Sequence, residues 1–165
     1  MAEATLTPRY QQLPSDALGR PVHLWSYGHW GAPVIAFPSA GGYAHEWDHQ
    51  GMIDALAPLL RAGRIKLYCP ETNVSRTWAD VEGDPAWRMA RHEAYERFVV
   101  EELVGWIERD CRSPGAPVAL AGCSLGALYA LNLALKHPRR FRWALCMSGR
   151  YQTAPFLPGY GGLDA

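Results

Sequence analysis

Gly122-Cys123-Ser124-Leu125-Gly126 has the form G-x-S-x-G. A serine hydroxyl is a poor nucleophile near neutral pH and has to be presented to a base with its own backbone out of the way. A sharp turn between a strand and a helix does this by holding the serine in a strained conformation. The crowding two residues away on each side then requires nearly side-chain-free neighbours. Gly122 and Gly126 meet that requirement, and Ala127 extends the small patch. A helix starting at Leu125 would aim its unpaired first-turn N–H groups and positive dipole end at the place where an oxyanion develops. The Leu125 N–H is therefore one expected oxyanion donor, and the loop after an earlier strand is expected to supply the other. The pentapeptide alone is a weak signal. Its weight depends on a buried strand before it and a helix directly after it.

The elements that would position this serine can be read from the hydrophobic pattern. "RYQQLPSDALGRPVHLWSYG" reads as an antiparallel hairpin around Pro14, Ser15, Asp16 and Gly19. "VIAF" (34–37) is a continuous apolar run of the kind buried on both faces of a parallel sheet, and the Gly-rich loop "PSAGGYAHEW" follows it. Met52, Ile53, Leu56, Leu59 and Leu60 recur at helical spacing and stop at Gly63. "IKLYC" (65–69) returns to strand character. Asp84-Pro85 then marks a helix start, and Trp87, Ala90, Ala94, Phe98, Leu103, Trp106 and Ile107 predict the buried stripe of that helix. "VALAG" is a third buried strand, "LGALYALNLALKH" a helix ended by Pro138, and "RWALCMSG" a fourth strand. From Val34 onward strands and helices alternate. This predicts an α/β fold with a mostly parallel sheet, helices on both faces, and an N-terminal antiparallel hairpin. Ligands of such sheets bind beyond the carboxyl ends of the strands, where the loop after Phe37 and the Ser124 turn can face one crevice.

Composition narrows the partners. Of the 165 residues 48% are apolar, enough for a substantial core in one domain spanning 1–165. Sixteen basic residues balance sixteen acidic ones with no long run of either sign, which argues against nucleic acid or an anionic membrane surface. The expected partner is a small molecule, with a homo-oligomer left open. No signal peptide or membrane anchor is visible, and Cys69, Cys111, Cys123 and Cys146 have no metal or redox spacing, so a cytoplasmic protein with reduced thiols is expected. No phosphate loop, metal-ligand cluster or dinucleotide fingerprint appears, and no cofactor is implied.

Taken together, "ALGRPVHLWSYGHWGAPVIAFPSAGGYAHEWDHQGMIDAL", "GRIKLYCPE", "RHEAYERFVVEEL", "VALAGCSLGALYALNLALKHPRRF" and "MSGRY" resemble the Putative esterase family, the esterase D and mycolyltransferase-like branch of the α/β-hydrolase fold. The resemblance implies a serine esterase or acyl-transfer enzyme, with Ser124 as nucleophile and the backbone N–H of Ala40, within "FPSAGG", as second oxyanion donor. The expected substrate is a small-molecule ester. A carboxylic ester hydrolase leads, with an acyltransferase or a non-catalytic binding domain of the same fold as alternatives.

One departure stands against this. In the fold the triad runs Ser, then Asp or Glu, then His. Forty-one residues follow Ser124, enough for one helix, one strand and a loop. The units that would carry the acid and the histidine are expected to be missing, as in the N-terminal two-thirds of an esterase cut short by a cloning boundary, a reading-frame error or natural shortening, with impaired activity. His137 stands about 18 Å along the helix from Ser124 and is expected to cap that helix's last carbonyls. His45 and His49 are the conceivable stand-in bases. His23, His29 and His92 are expected to be structural, and Asp164 to be a tail residue rather than a catalytic acid. Tyr43, Trp47 and Trp78 are expected either to line the crevice or to belong to the core. The last strand is expected to be an unprotected sheet edge.

Overall fold

The computed structural model describes residues 6–158, so Asp164 lies outside the described residues. The hairpin is present: strand β1 (Arg9–Leu13) pairs antiparallel with β2 (Val22–Tyr27), from Arg9 opposite Ser26 to Leu13 opposite Val22. Then follow β3 (Ala32–Phe37), a short helix α1 (Glu46–His49), α2 (Met52–Arg61) and β4 (Ile65–Pro70). The long helical segment comes next, as α3 (Pro85–Arg97) and α4 (Val104–Asp110) joined through a π-helical stretch at Phe98–Leu103. The chain continues through β5 (Val118–Cys123), α5 (Leu125–Lys136) and β6 (Phe141–Met147). The six strands lie in the order β1-β2-β4-β3-β5-β6, and β4, β3, β5 and β6 are mutually parallel.

Burial on both faces explains why β3 reads as a plain apolar run. Ile35 and Phe37 belong to a cluster with Phe98, Leu103, Ile107, Leu125, Tyr129 and Leu133 of the long helix and α5. Ala36, between them, belongs to a second cluster with Ile53 and Leu60 of α2 and with Trp47. Successive strand residues thus point to opposite helical layers. At β6 this cover runs out: Trp143 and Leu145 are 62% and 60% exposed on an edge strand, as expected. Among the described residues no helix is long and apolar enough to cross a membrane.

The long helix corrects one expectation. Asp84 caps its start, accepting from the Trp87 N–H at 2.8 Å, with Pro85 in the first turn. Its first half, however, buries Arg88, Met89, His92 and Tyr95, while Trp87 is 46% exposed and Ala90 is also exposed. The apolar pattern excluded Arg88 and His92, yet both are held inside by hydrogen bonds, with the Arg88 Nη1 left without a partner. The Arg88 guanidinium donates to the Thr77 carbonyl at 2.7 Å and the Trp78 carbonyl at 3.4 Å. His92 Nδ1 accepts from the Trp78 indole at 3.2 Å. Trp47 and Trp78 are core residues, 5% and 3% exposed, whereas Tyr43 is 63% exposed. All four cysteines are free, but only Cys69 is fully buried.

Two carboxylates tie the helices to the rest of the chain. Asp110 accepts from Lys66 at 2.7 Å, from Tyr68 at 2.7 Å and from Arg9. Glu96 accepts from Lys136 at 3.1 Å, Asn132 at 3.1 Å and His137 at 2.9 Å. The His137 ring therefore pairs with Glu96 across two helices instead of capping α5. Burial pushes both carboxyls up, but the hydrogen bonds from Lys66, Arg9 and Tyr68 to Asp110, and from His137 and Lys136 to Glu96, outweigh it and leave both below their ordinary values. A carboxylate with a lowered folded value contributes stability that is fully present above its ordinary value and is lost as the pH falls through the folded one. Thermal unfolding is expected to show a falling melting temperature from about pH 4 downward, and Glu96→Gln is expected to flatten that acid limb. An unchanged slope in the variant would refute the assignment.

Candidate active site

Parallel pairing brings the two loops of interest together. Phe37, the last residue of β3, lies opposite Gly122 of β5, so the segments leaving the carboxyl ends of these strands are neighbours. Ser124 sits between β5 and α5 with φ 56° and ψ −117°, on the positive-φ side that residues with a Cβ rarely adopt. Its backbone is held on both sides: its N–H donates to the Met147 carbonyl at 3.0 Å, and its carbonyl accepts from Ala127 at 3.1 Å and Arg150 at 3.4 Å.

The two glycines are required by space. A Cβ on Gly122 would lie 2.1 Å from the Gly126 carbonyl oxygen, and one on Gly126 would lie 2.3 Å from the Pro38 oxygen and 2.6 Å from the Phe37 oxygen. The helix start and the end of β3 are therefore in backbone contact across the turn. A serine at a helix N-cap ordinarily turns its hydroxyl onto a first-turn N–H. Ser124 makes no such bond, and among the described residues its hydroxyl has no hydrogen-bond partner. Ser124 is thus half-buried, with its hydroxyl unengaged at the carboxyl end of β5.

The loop after β3 is fastened by a residue to which the sequence reading gave no role. Glu46, the first residue of α1, accepts from the Ser39 N–H at 2.6 Å and the Ser39 hydroxyl at 3.0 Å. The Trp47 indole donates to the Phe37 carbonyl at 3.0 Å, and Gly42 N–H closes a turn onto the Ser39 carbonyl at 3.1 Å. Ala40 lies inside that turn, exposed. Among the described residues neither the Ala40 N–H nor the Leu125 N–H has an acceptor. An acidic residue seven positions beyond Ser39 carries no recognisable motif, so Glu46 becomes legible only when the loop is folded.

The histidines lie elsewhere. His45 stacks on Tyr43 and packs edge-on against His49, with ring centroids 5.5 and 4.5 Å apart, and neither bonds to Ser124. His92 is in the core, and His137 is held by Glu96 at the far end of α5. His23 pairs with Tyr10 on the hairpin. His29 lines a cavity of about 680 Å³, which opens at Ala32, Pro33 and Pro117, the amino ends of the strands and so the opposite end from Ser124. A groove of about 460 Å³ lies on the correct side, walled in part by Gly41, Gly42 and Tyr43.

Residues 65–157 match the family described as Putative esterase. The chain is 28% identical over 159 residues to the diacylglycerol acyltransferase/mycolyltransferase Ag85A of Mycobacterium tuberculosis, an alignment covering 87% of this chain and 43% of that protein. Among solved structures it resembles a ferulic acid esterase, with a TM-score of 0.66 and 21% identity over 90% of this chain and 60% of the other. It also resembles the S-formylglutathione hydrolase FrmB of Staphylococcus aureus, with a TM-score of 0.68 and 12% identity over 96% and 66%. These likenesses show an α/β-hydrolase fold. The chain spans less than half the length of the curated relative it matches.

Proposed function

Because the chain belongs to the Putative esterase family, we propose that it is a serine carboxylic ester hydrolase, acting through an acyl-enzyme on Ser124. The observation that carries this reading is the strained Ser124 backbone, which leaves its hydroxyl uncapped between two glycines that admit no side chain.

In the proposed reaction the Ser124 Oγ attacks the acyl carbon of the ester and gives up its proton. The carbonyl π-bond opens onto oxygen, and the resulting oxyanion accepts from the Leu125 and Ala40 N–H groups, which are otherwise unbonded. Collapse of the tetrahedral intermediate expels the alcohol, which takes up a proton, and water then hydrolyses the acyl-enzyme to release the acid. Among the described residues no histidine or carboxylate bonds to the Ser124 hydroxyl, so acylation by these residues alone relies on water as proton acceptor and is slow. The partner is a small-molecule ester.

A fluorophosphonate probe, which reacts with activated serines, tests the assignment. Slow labelling that reaches one equivalent and disappears in Ser124→Ala is expected, and folded protein that does not label on prolonged incubation would sink the enzyme reading and favour a non-catalytic binding domain. The loop clamp gives a second test. Glu46→Gln is expected to slow labelling on the order of tenfold and to speed hydrogen exchange at the Ala40 N–H, with the melting temperature moving little. Unchanged labelling would show that Ser39 does not need this carboxylate.

Acyl transfer is the second reading, favoured by the similarity to an acyltransferase. Adding alcohol or sugar acceptors and analysing the products separates the two: new esters support transfer, and free acid alone supports hydrolysis.

A further inference from the structure

The groove of about 460 Å³ beside the oxyanion loop has a chemistry that the reading above does not use. Arg20, Arg76 and Arg91 line it, against one carboxylate, Glu71. Glu71 is already committed to Arg20 at 2.6 Å and to the His23 N–H at 3.1 Å. The chain as a whole has no net charge, so this concentration of cations is local.

The groove holds donors whose bonds are unmade. The Arg91 guanidinium lies 3.9 Å from the centroid of the Trp87 ring, and its Nε is buried without an acceptor. Arg76 is exposed and forms no ion pair among the described residues. Thr72 is 7% exposed, and its hydroxyl oxygen is buried and unpartnered. That hydroxyl lies directly behind the oxyanion loop: the Thr72 N–H donates to the Gly42 carbonyl at 2.9 Å, and a Cβ on Gly42 would come 3.2 Å from the Thr72 hydroxyl oxygen. Buried donors without acceptors are costly, and guanidinium forks match the geometry of carboxylate and phosphate. Tyr43 and Trp87, 63% and 46% exposed, offer apolar walls between the loop and the cations.

We propose that this groove is a subsite for an ester substrate carrying an anionic oxygen group, a carboxylate or a phosphate, at a distance from the reacting carbonyl. The inference rests on the ester-hydrolase reading, because the turn that holds Ala40 leads directly into Gly41, Gly42 and Tyr43 of the groove wall. The ester carbonyl at Ser124 and the anion at Arg76 and Arg91 would lie on two sides of one loop, and the groove would select among esters by the charge on the part remote from the reacting bond.

Alkyl fluorophosphonates of graded length, ending in a methyl, a carboxylate or a phosphate, test this on the full chain. At the length that fits, an anionic terminus is expected to speed labelling of Ser124 about tenfold over the methyl terminus, the scale of one charge-assisted hydrogen bond. That ratio is expected to fall toward one in Arg91→Met, in the exposed-site variant Arg76→Met, and at high salt. The carboxylate and phosphate arms show which group is taken. A ratio near one in the wild type, or a ratio that survives both substitutions, would overturn the subsite while leaving the esterase reading intact. Absence of labelling by the methyl-terminated probe would instead overturn the esterase reading. The groove is then decided by calorimetric titration with glutarate and inorganic phosphate: binding lost in Arg76→Met and Arg91→Met supports an anion site, and no binding refutes it.

Discussion

Gly126→Ala is expected to destabilise the fold severely. The added Cβ would stand 2.3 Å from the Pro38 oxygen and 2.6 Å from the Phe37 oxygen, both backbone atoms, so no side chain can swing aside to admit it. Relief requires the start of α5 to move away from the end of β3. These elements meet at the carboxyl ends of the central strands β3 and β5, where Ile35, Ala36 and Phe37 of β3 are fully buried. The cost is put at roughly 3–5 kcal/mol, a large share of the about 5–15 kcal/mol that holds a domain together. Gly122→Ala meets the Gly126 carbonyl at 2.1 Å and should behave alike. Gly105→Ala in α4 is the internal control, because the Cβ would meet only the end of the Arg109 side chain at 3.6 Å. There the gain in helix propensity should leave stability unchanged or raised by about 0.5–1 kcal/mol. Denaturant unfolding of the three variants checks the order, and a Gly126→Ala protein as stable as the parent would show that the turn is not packed as described.

Ser124→Gly and Ser124→Ala should part company in stability while sharing a loss of reactivity. Both remove the hydroxyl, so both are expected to abolish fluorophosphonate labelling. Only the glycine variant removes the Cβ that makes φ 56°, ψ −117° unfavourable. Strain of this kind costs on the order of 1–3 kcal/mol, partly offset by the greater freedom of glycine in the unfolded chain. Ser124→Gly is therefore expected to gain about 1 kcal/mol, raising the melting temperature by roughly 2–4 °C, and Ser124→Ala to stay near the parent. If the alanine variant gains as much, the stabilisation comes from losing the hydroxyl rather than from the backbone.

The sheet and the turn were legible because their signals are local and redundant. "VIAF" and "VALAG" are apolar runs that burial on two faces explains, "IKLYC" has strand character, and Asp84-Pro85 marks a helix start by two independent preferences. The buried face of α3 was not legible, because Arg88 and His92 are held by the Thr77 and Trp78 carbonyls and the Trp78 indole, partners that the fold alone brings near. The same holds for the site. Ser124, Gly122 and Gly126 announce themselves within five residues. The Glu46 clamp on Ser39 and the meeting of Arg20, Arg76 and Arg91 depend on segments that the sequence separates and the sheet order reunites.

The π-helical stretch at Phe98–Leu103 works as a phase correction. An α-helix advances about 100° per residue, so along an uninterrupted helix Ile107 would point about 100° away from the direction of Arg88. Yet Arg88, Met89, His92, Tyr95, Phe98, Val99, Leu103, Val104 and Ile107 are all buried, and the wide turn keeps the later ones facing the sheet. Deleting one residue there would therefore act as a straightening rather than a rotation: with one residue fewer, Arg88 and Ile107 would stand about five whole α-helical turns apart, and both halves could keep their buried faces along a regular α-helix.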